Sequence, residues 1–110
     1  MPSKRLQQVN ELIHHELAEI INREIEMPAG LLVTIKSVET SADLHLAKVW
    51  LSVLPFEGAP RAVKILKKNI FHLQKILDRK LVMRYVPKIR FFIDQTEESA
   101  EKINNLLDSL

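Results

Sequence analysis

The sequence predicts an α+β domain of two layers, with helices covering one face of a three-stranded sheet. Three observations predict it. Apolar residues recur at helical spacing near the start and again from about residue 60 to 81. Three short β-rich runs follow a period of two, only partly at 33–38 and well at 45–54 and 89–93. Pro28, Gly30, Pro55, Pro60 and Pro87 stand at the joints between these segments.

Ser3 is placed to cap a first helix running to about Glu26, with Leu6, Val9, Ile13, Leu17 and Ile20 as its apolar stripe. Glu11, His15, Glu19, Asn22 and Glu26 fall on the opposite, acidic side, and Pro28-Ala-Gly30 stops the helix. Val33-Thr-Ile-Lys-Ser-Val38 is a first strand and Ser41-Ala-Asp43 a turn or bulge. In the second strand Ala47, Val49, Leu51 and Val53 share one face, with Leu46, Lys48, Trp50 and Ser52 on the other. The two strands should form an antiparallel hairpin. Pro60 suits the first residue of a second helix, with Ala62, Val63, Ile65, Leu66 and Ile70 inward.

The stripe then changes phase at Asn69-Ile70-Phe71, without a proline. Two helices meeting at a kink are expected, and Asn69 tolerates left-handed backbone there. Leu73, Ile76, Leu77 and Leu81 line the next helix, with His72, Lys75 and Arg79 outside. Beyond Pro87, Ile89, Phe91 and Ile93 alternate with Arg90, Phe92 and Asp94 as a third strand. The long helical crossover before it suits parallel pairing with a neighbour. Thr96 is a cap for a last short helix with Ile103, Leu106, Leu107 and Leu110 on its apolar side, which would cover Trp50.

Composition is globular: 110 residues, 46% hydrophobic, 27% charged, two glycines and no cysteine. That length suits one domain. The missing cysteines exclude disulfides, thiolate nucleophiles and cysteine metal sites, and fit a reducing compartment. No apolar run is long enough to span a bilayer and the start has no apolar leader pattern, so a cytoplasmic protein without membrane contact is expected.

Two glycines, Gly30 and Gly58, cannot build a phosphate-binding glycine loop or a nucleophile elbow. His14 and His15 diverge by about 100° on a helix, and no H-E-x-x-H is present. Solvated histidines are the simpler reading. Glu97 and Glu98 at a helix start suit the helix dipole rather than acid–base catalysis. No catalytic set, cofactor or metal is expected.

Charge distribution is the informative signal. The net charge is only +2, yet residues 61–90 hold Arg61, Lys64, Lys67, Lys68, Lys75, Arg79, Lys80, Arg84, Lys88 and Arg90 against Asp78 alone. Ten bases less one acid leave +9 there, and the remaining six bases and thirteen acids leave −7 elsewhere. A polyanion would meet one side of such a molecule. Helix exteriors are commonly charged, but a merely solvated face mixes signs. Arg61, Lys64, Lys67 and Lys68 lie within an arc of roughly 120°. Lys75 and Arg79 continue the row, and Arg84, Lys88 and Arg90 extend it toward the third strand.

A membrane surface would need exposed aromatics beside the lysines, and the apolar faces are required for the core. A helix-turn-helix reader offers only Gln74 as a base-reading amide, and the sheet has no place in that motif. Trp50, Phe91 and Phe92 are expected to pack rather than to stack bases. These features leave the kind of polyanion open; a protein-interaction module whose basic helices bind an acidic protein is the alternative.

Longer blocks carry a resemblance. Arg5-Leu-x-x-Val9, Val33-Thr-Ile-Lys-Ser-Val-Glu-Thr-Ser-Ala-Asp43-Leu, Ala47-Lys-Val-Trp-Leu-Ser-Val53 and Arg84-Tyr-Val-Pro87-x-Ile-x-Phe-x-x-Asp94, in this order, resemble the bacterial ribosome-binding factor A family over essentially the whole chain. The resemblance implies a KH-like domain of type II topology: helix, strand, strand, helix, kink, helix, strand, plus a short C-terminal helix. It implies one RNA-binding domain over 1–110, with 96–110 as a helical extension. It further implies a non-enzymatic assembly factor that binds the free, immature small ribosomal subunit through its rRNA beside neighbouring ribosomal proteins. Such a factor assists late maturation and processing of small-subunit rRNA, matters most in the cold, and is released with help from a separate assembly GTPase. A monomer is expected.

KH domains of the common kind clamp nucleotides with a G-x-x-G loop. This chain lacks one, as the family does, and where the family's kink resembles Ala-x-Gly this chain reads Asn69-Ile70-Phe71. Ile and Phe do not replace glycine in admitting a phosphate, so RNA contact is expected from the ten flanking lysines and arginines.

Overall fold

The computed structural model describes residues 3–94. Helix α1 spans Lys4–Glu24, strand β1 Leu32–Thr40 and strand β2 Leu46–Leu54. A short 3-10 turn, Phe56–Gly58, leads into α2, Ala59–Lys68; α3, Ile70–Lys80, and β3, Lys88–Ile93, complete the order. The last helix expected around Thr96 to Leu110, and with it the cover over Trp50, lies outside the described residues.

Ser3 caps α1 as its position suggests, its hydroxyl accepting from the Leu6 N–H at 3.2 Å. The helix ends two residues earlier than expected, at Glu24, and Ile25 and Met27 fold back onto the core. Gly30 takes φ +83°, which a residue with a Cβ resists, and so turns the chain into β1. At Gly58 a Cβ would run into Leu31 Cδ1, so the turn before α2 closes against the turn before β1.

The hairpin loop is built by side chains. Asp43 Oδ1 accepts from the Ser41 hydroxyl at 2.6 Å and the His45 N–H at 3.0 Å, while Ser41 Oγ accepts from the Leu46 N–H. Those bonds hold the Asp43 carboxyl below its ordinary 3.8, the Ser41 hydroxyl contributing most. Leu44 follows at φ 63°, with its side chain against the core.

Strand order is β1-β2-β3, with β1–β2 antiparallel and β2–β3 parallel. The expected crossover is therefore real, and it contains both α2 and α3. One residue is extra in β1: Ile35 faces Leu51 and Ser37 faces Trp50, leaving Lys36 as a bulge. The bulge explains why β1 alternates only partly in the sequence.

All three helices pack on one face of the sheet. Val9, Ile13, Leu17, Ile20 and Ile21 of α1 meet Ile35, Val38, Ala47, Val49 and Leu51, with Leu66, Leu73, Leu77, Ile89 and Phe91 closing the other side. Each large aliphatic so removed from water contributes roughly 1.5–3 kcal/mol. Thr40 N–H donates to Asn10 Oδ1 at 2.8 Å, pinning the end of β1 to α1.

Candidate nucleic-acid interface

The junction between α2 and α3 is one residue, Asn69, at φ −102° and ψ 9°. The left-handed conformation expected there does not occur. Asn69 instead ends α2 with its own donors: Nδ2 reaches Ile65 O at 2.8 Å and its N–H lies on Ile65 O and Leu66 O. Its carbonyl then accepts from Leu73 N–H, starting α3. A donor-rich side chain thus does what a glycine with φ > 0 does at many helix ends. Ile70 tucks against the core, and Phe71 turns out to solvent.

Helix α3 is tied to β3 by a buried amide. Gln74 Nε2 donates to Pro87 O at 3.0 Å and to Asp78 Oδ1 at 2.9 Å, and its Oε1 accepts from Ile89 N–H at 2.8 Å. Gln74 is 8% exposed and is the one buried polar side chain among the described residues. It is therefore not a base-reading amide on a helix exterior. It fixes the start of β3, and with it Lys88 and Arg90, to the helix pair.

All ten predicted cations are exposed. None of them forms an ion pair with a carboxylate among the described residues. Asp78, the single acid of the region, is occupied by Gln74. Arg61, Lys64, Lys67 and Lys68 occupy the outer side of α2, and Lys75, Arg79 and Lys80 that of α3. Arg84 lies in the loop after α3, its guanidinium 5.6 Å from the Tyr85 ring centre.

Lys88 and Arg90 differ from the rest. Ile89 and Phe91 point into the core, so their neighbours issue on the opposite face of the sheet, the open face, which no helix of the described residues covers. The ten cations do not form one flat row. Beside the α2–α3 junction a cleft of about 290 Å³ is lined by Ile70, Phe71, Gln74, Lys88, Ile89 and Arg90, and so includes two of the ten. A larger cleft of about 510 Å³ lies between α1 and β1 and includes none of the ten.

The open face carries an aromatic pair that strand-by-strand reading misses. Parallel register sets Trp50 beside Phe92, ring centres 5.3 Å apart, with Lys48 Nζ 5.8 Å from the Phe92 centre. Phe91 is core, as expected, whereas Phe92 is not. Trp50 Nε1 is enclosed without a hydrogen-bond partner among the described residues. Only the register of a non-local pair reveals this contact. Elsewhere His15, Glu16 and Glu19 bring ligand atoms within 4.8 Å of one another on the surface of α1, where His15 and Glu19 are an i,i+4 pair at 3.6 Å.

Fold and surface together define a class: a small α+β domain whose exposed cations on two helices and a strand have no carboxylate partner among the described residues. The chain belongs to the ribosome-binding factor A family, whose profile matches residues 5–107. Among curated relatives, ribosome-binding factor A of Coxiella burnetii is 35% identical over 106 residues, covering 96% of this chain and 89% of the relative. That of Bdellovibrio bacteriovorus is 33% identical, covering 97% and 81%. The crystal structure of ribosome-binding factor A from Thermus thermophilus superposes with TM-score 0.69 at 25% identity, covering 80% of this chain and 94% of that one. A Thermus thermophilus homology model of the protein, fitted into a cryo-EM map of a 30S–RbfA complex, superposes at 0.65 with 27% identity, covering 77% and 90%.

Proposed function

We propose that this protein is a ribosome biogenesis factor that binds the free, immature small ribosomal subunit through its rRNA. The observation that carries the reading is the set of ten exposed cations without carboxylate partners, gathered around α2, α3 and the start of β3. Family membership and the 30S complex of the Thermus thermophilus relative support the choice of polyanion. Phosphates would be met by the exteriors of α2 and α3, with Lys88 and Arg90 reaching a strand that rounds the β3 edge. Counterions released from each neutralised phosphate supply the affinity. Stronger binding to an immature conformation of the subunit than to the mature one would favour that conformation during late maturation and rRNA processing. The protein acts in the cytoplasm as a monomer without a cofactor, alongside neighbouring ribosomal proteins, and a separate assembly GTPase assists its release. The whole chain 1–110 acts as one unit.

Co-sedimentation with small subunits, large subunits and whole ribosomes across a salt series tests the reading. Selective binding to free small subunits is expected. If about five or six phosphates are neutralised, log K falls with log salt at a slope near −4, at roughly −0.7 per phosphate. Replacing Lys64, Lys68, Lys75 and Arg79 together by alanine should make that slope shallower by about 3 and abolish binding at moderate salt. Equal binding to all three particles, or unchanged affinity in the quadruple variant, would overturn the proposal. An association that survives ribonuclease treatment would point to an acidic protein partner instead.

A further inference from the structure

We infer that Phe71 is a base-stacking contact: an unpaired base of single-stranded RNA lies on its ring in the cleft between α3 and β3, with the flanking phosphates on Lys75, Lys88 and Arg90. The inference deepens the RNA-binding reading above and rests on it. Helix α3 buries Leu73, Gln74 and Leu77, and Phe71 lies off that stripe at 86% exposure. Ile70 beside it already serves the core. Packing therefore gives no reason for an aromatic ring at position 71.

Among the exposed rings its situation is singular. Phe92 leans on Trp50 and Tyr85 on Arg84, whereas Phe71 has neither a ring nor a cation against it among the described residues. Both of its faces are available. It borders the cleft of about 290 Å³ whose rim is Lys88 and Arg90 and whose floor includes Ile70 and Ile89. Lys75 stands one turn along the same flank of α3, within reach of a neighbouring phosphate. The one acid on that flank, Asp78, lies two turns away and is bonded to Gln74.

The one side-chain amide lining this cleft is not available for reading bases. Both amide groups of Gln74 are engaged with Pro87, Asp78 and Ile89. Asn69 spends its N–H and its Nδ2 on the carbonyls that end α2. What remains is a π face beside cations, which accepts any base because every base has a π face. The contact should discriminate single-stranded from duplex RNA, whose stacked bases are not free to enter, and should show little sequence preference.

Fluorescence anisotropy with a labelled mixed-sequence single-stranded RNA and with the matched duplex, repeated across salt, tests this on the full chain. F71A should weaken single-strand binding by about 5- to 150-fold, the range of one stacked base. Its log–log salt slope should stay unchanged, because no phosphate contact is lost. F71Y should retain affinity, and F71L should fall to near the alanine value, since leucine keeps bulk but has no π face. Duplex binding should not move in any of the three. Because the ring is exposed, thermal midpoints of the variants should match the parent. Wild-type affinity in F71A, full affinity in F71L, or an equal loss on duplex would each overturn the inference. So would an F71A defect confined to ribonuclease-resistant association, which would make the ring a protein contact. Failure of the unaltered protein to select small subunits would instead overturn the function proposed above, so the two failures are distinguishable.

Discussion

Helix α1 and the α2–α3 pair lie side by side on the same face of the sheet, and they treat charge in opposite ways. Helix α1 mixes signs, with Lys4, Arg5 and Arg23 beside Glu11, Glu16, Glu19 and Glu24, and Arg23 faces Glu24 at 3.5 Å. The α2–α3 pair leaves every one of its cations without a carboxylate among the described residues. Their cores differ too. Helix α1 buries five aliphatics along 21 residues, whereas α2 and α3 bury small alanines, three leucines and an amide along two short helices. The contrast divides labour: α1 holds the sheet, and the pair presents charge on a surface fixed by only a few bonds. They touch through His72 Nε2 and Glu24 Oε1 at 2.8 Å, a contact that holds the Glu24 carboxyl below its ordinary value.

Three changes would sharpen or break this division. The largest effect is expected in α1. Leu17 is fully buried, and Leu17→Ala should cost about 2–5 kcal/mol in chemical denaturation. RNA affinity of the folded fraction should be untouched. A changed salt slope in that variant would mean that α1 also contributes to the interface.

An intermediate effect is expected at the clamp. Gln74→Leu strands the Ile89 N–H and the Pro87 carbonyl in a buried place, costing roughly 1–3 kcal/mol. Here stability and binding should fall together, since Lys88 and Arg90 lose their fixed relation to α3. Unaltered amide exchange at Ile89 would show that the clamp does not hold β3.

The smallest effect concerns the hairpin loop, which meets the cations only where the His45 carbonyl accepts from the Lys88 N–H at 2.9 Å. The Asp43 carboxyl sits below 3.8 because the folded state stabilises its charged form, through Ser41 first and the His45 N–H next. Its contribution is therefore present above the ordinary value and is lost as pH falls through the lowered folded one. A carboxyl titration followed by NMR should give a midpoint below 3.8, and Ser41→Ala should raise it toward 3.8. A midpoint at or above 3.8 in the unaltered protein would refute the loop geometry.

Much of the fold is legible in the sequence because its signals are local. Ser3, the alternation from Ala47 to Val53, the Ser41–Asp43 turn and the phase change at Asn69 each act within a few residues, and the structure has them all. The parallel third strand follows from the length of the crossover. What escapes reading depends on partners distant in sequence. Gln74 looks like any polar helix residue until Pro87 and Ile89 are brought beside it. Phe92 falls on the outer side of its strand in the alternation, but that it packs on Trp50 is shown only by the register. Asn69 suggests backbone tolerance, whereas its side-chain amide is what ends α2. Of the interface, the sequence discloses which residues are basic, and only the fold shows that Lys88 and Arg90 leave from the other side of the sheet.

The bulge at Lys36 bears on how this molecule keeps company with copies of itself. Strand β1 is nine residues long and lies at the rim of its sheet, where unsatisfied backbone groups invite a foreign strand to add on. The extra residue interrupts that rim near its middle and sets a lysine at the interruption. An incoming strand finds two short stretches out of step with each other instead of one continuous template. Lys36 itself reaches over the sheet, its Nζ 3.2 Å from Asp94 Oδ2 at the end of β3.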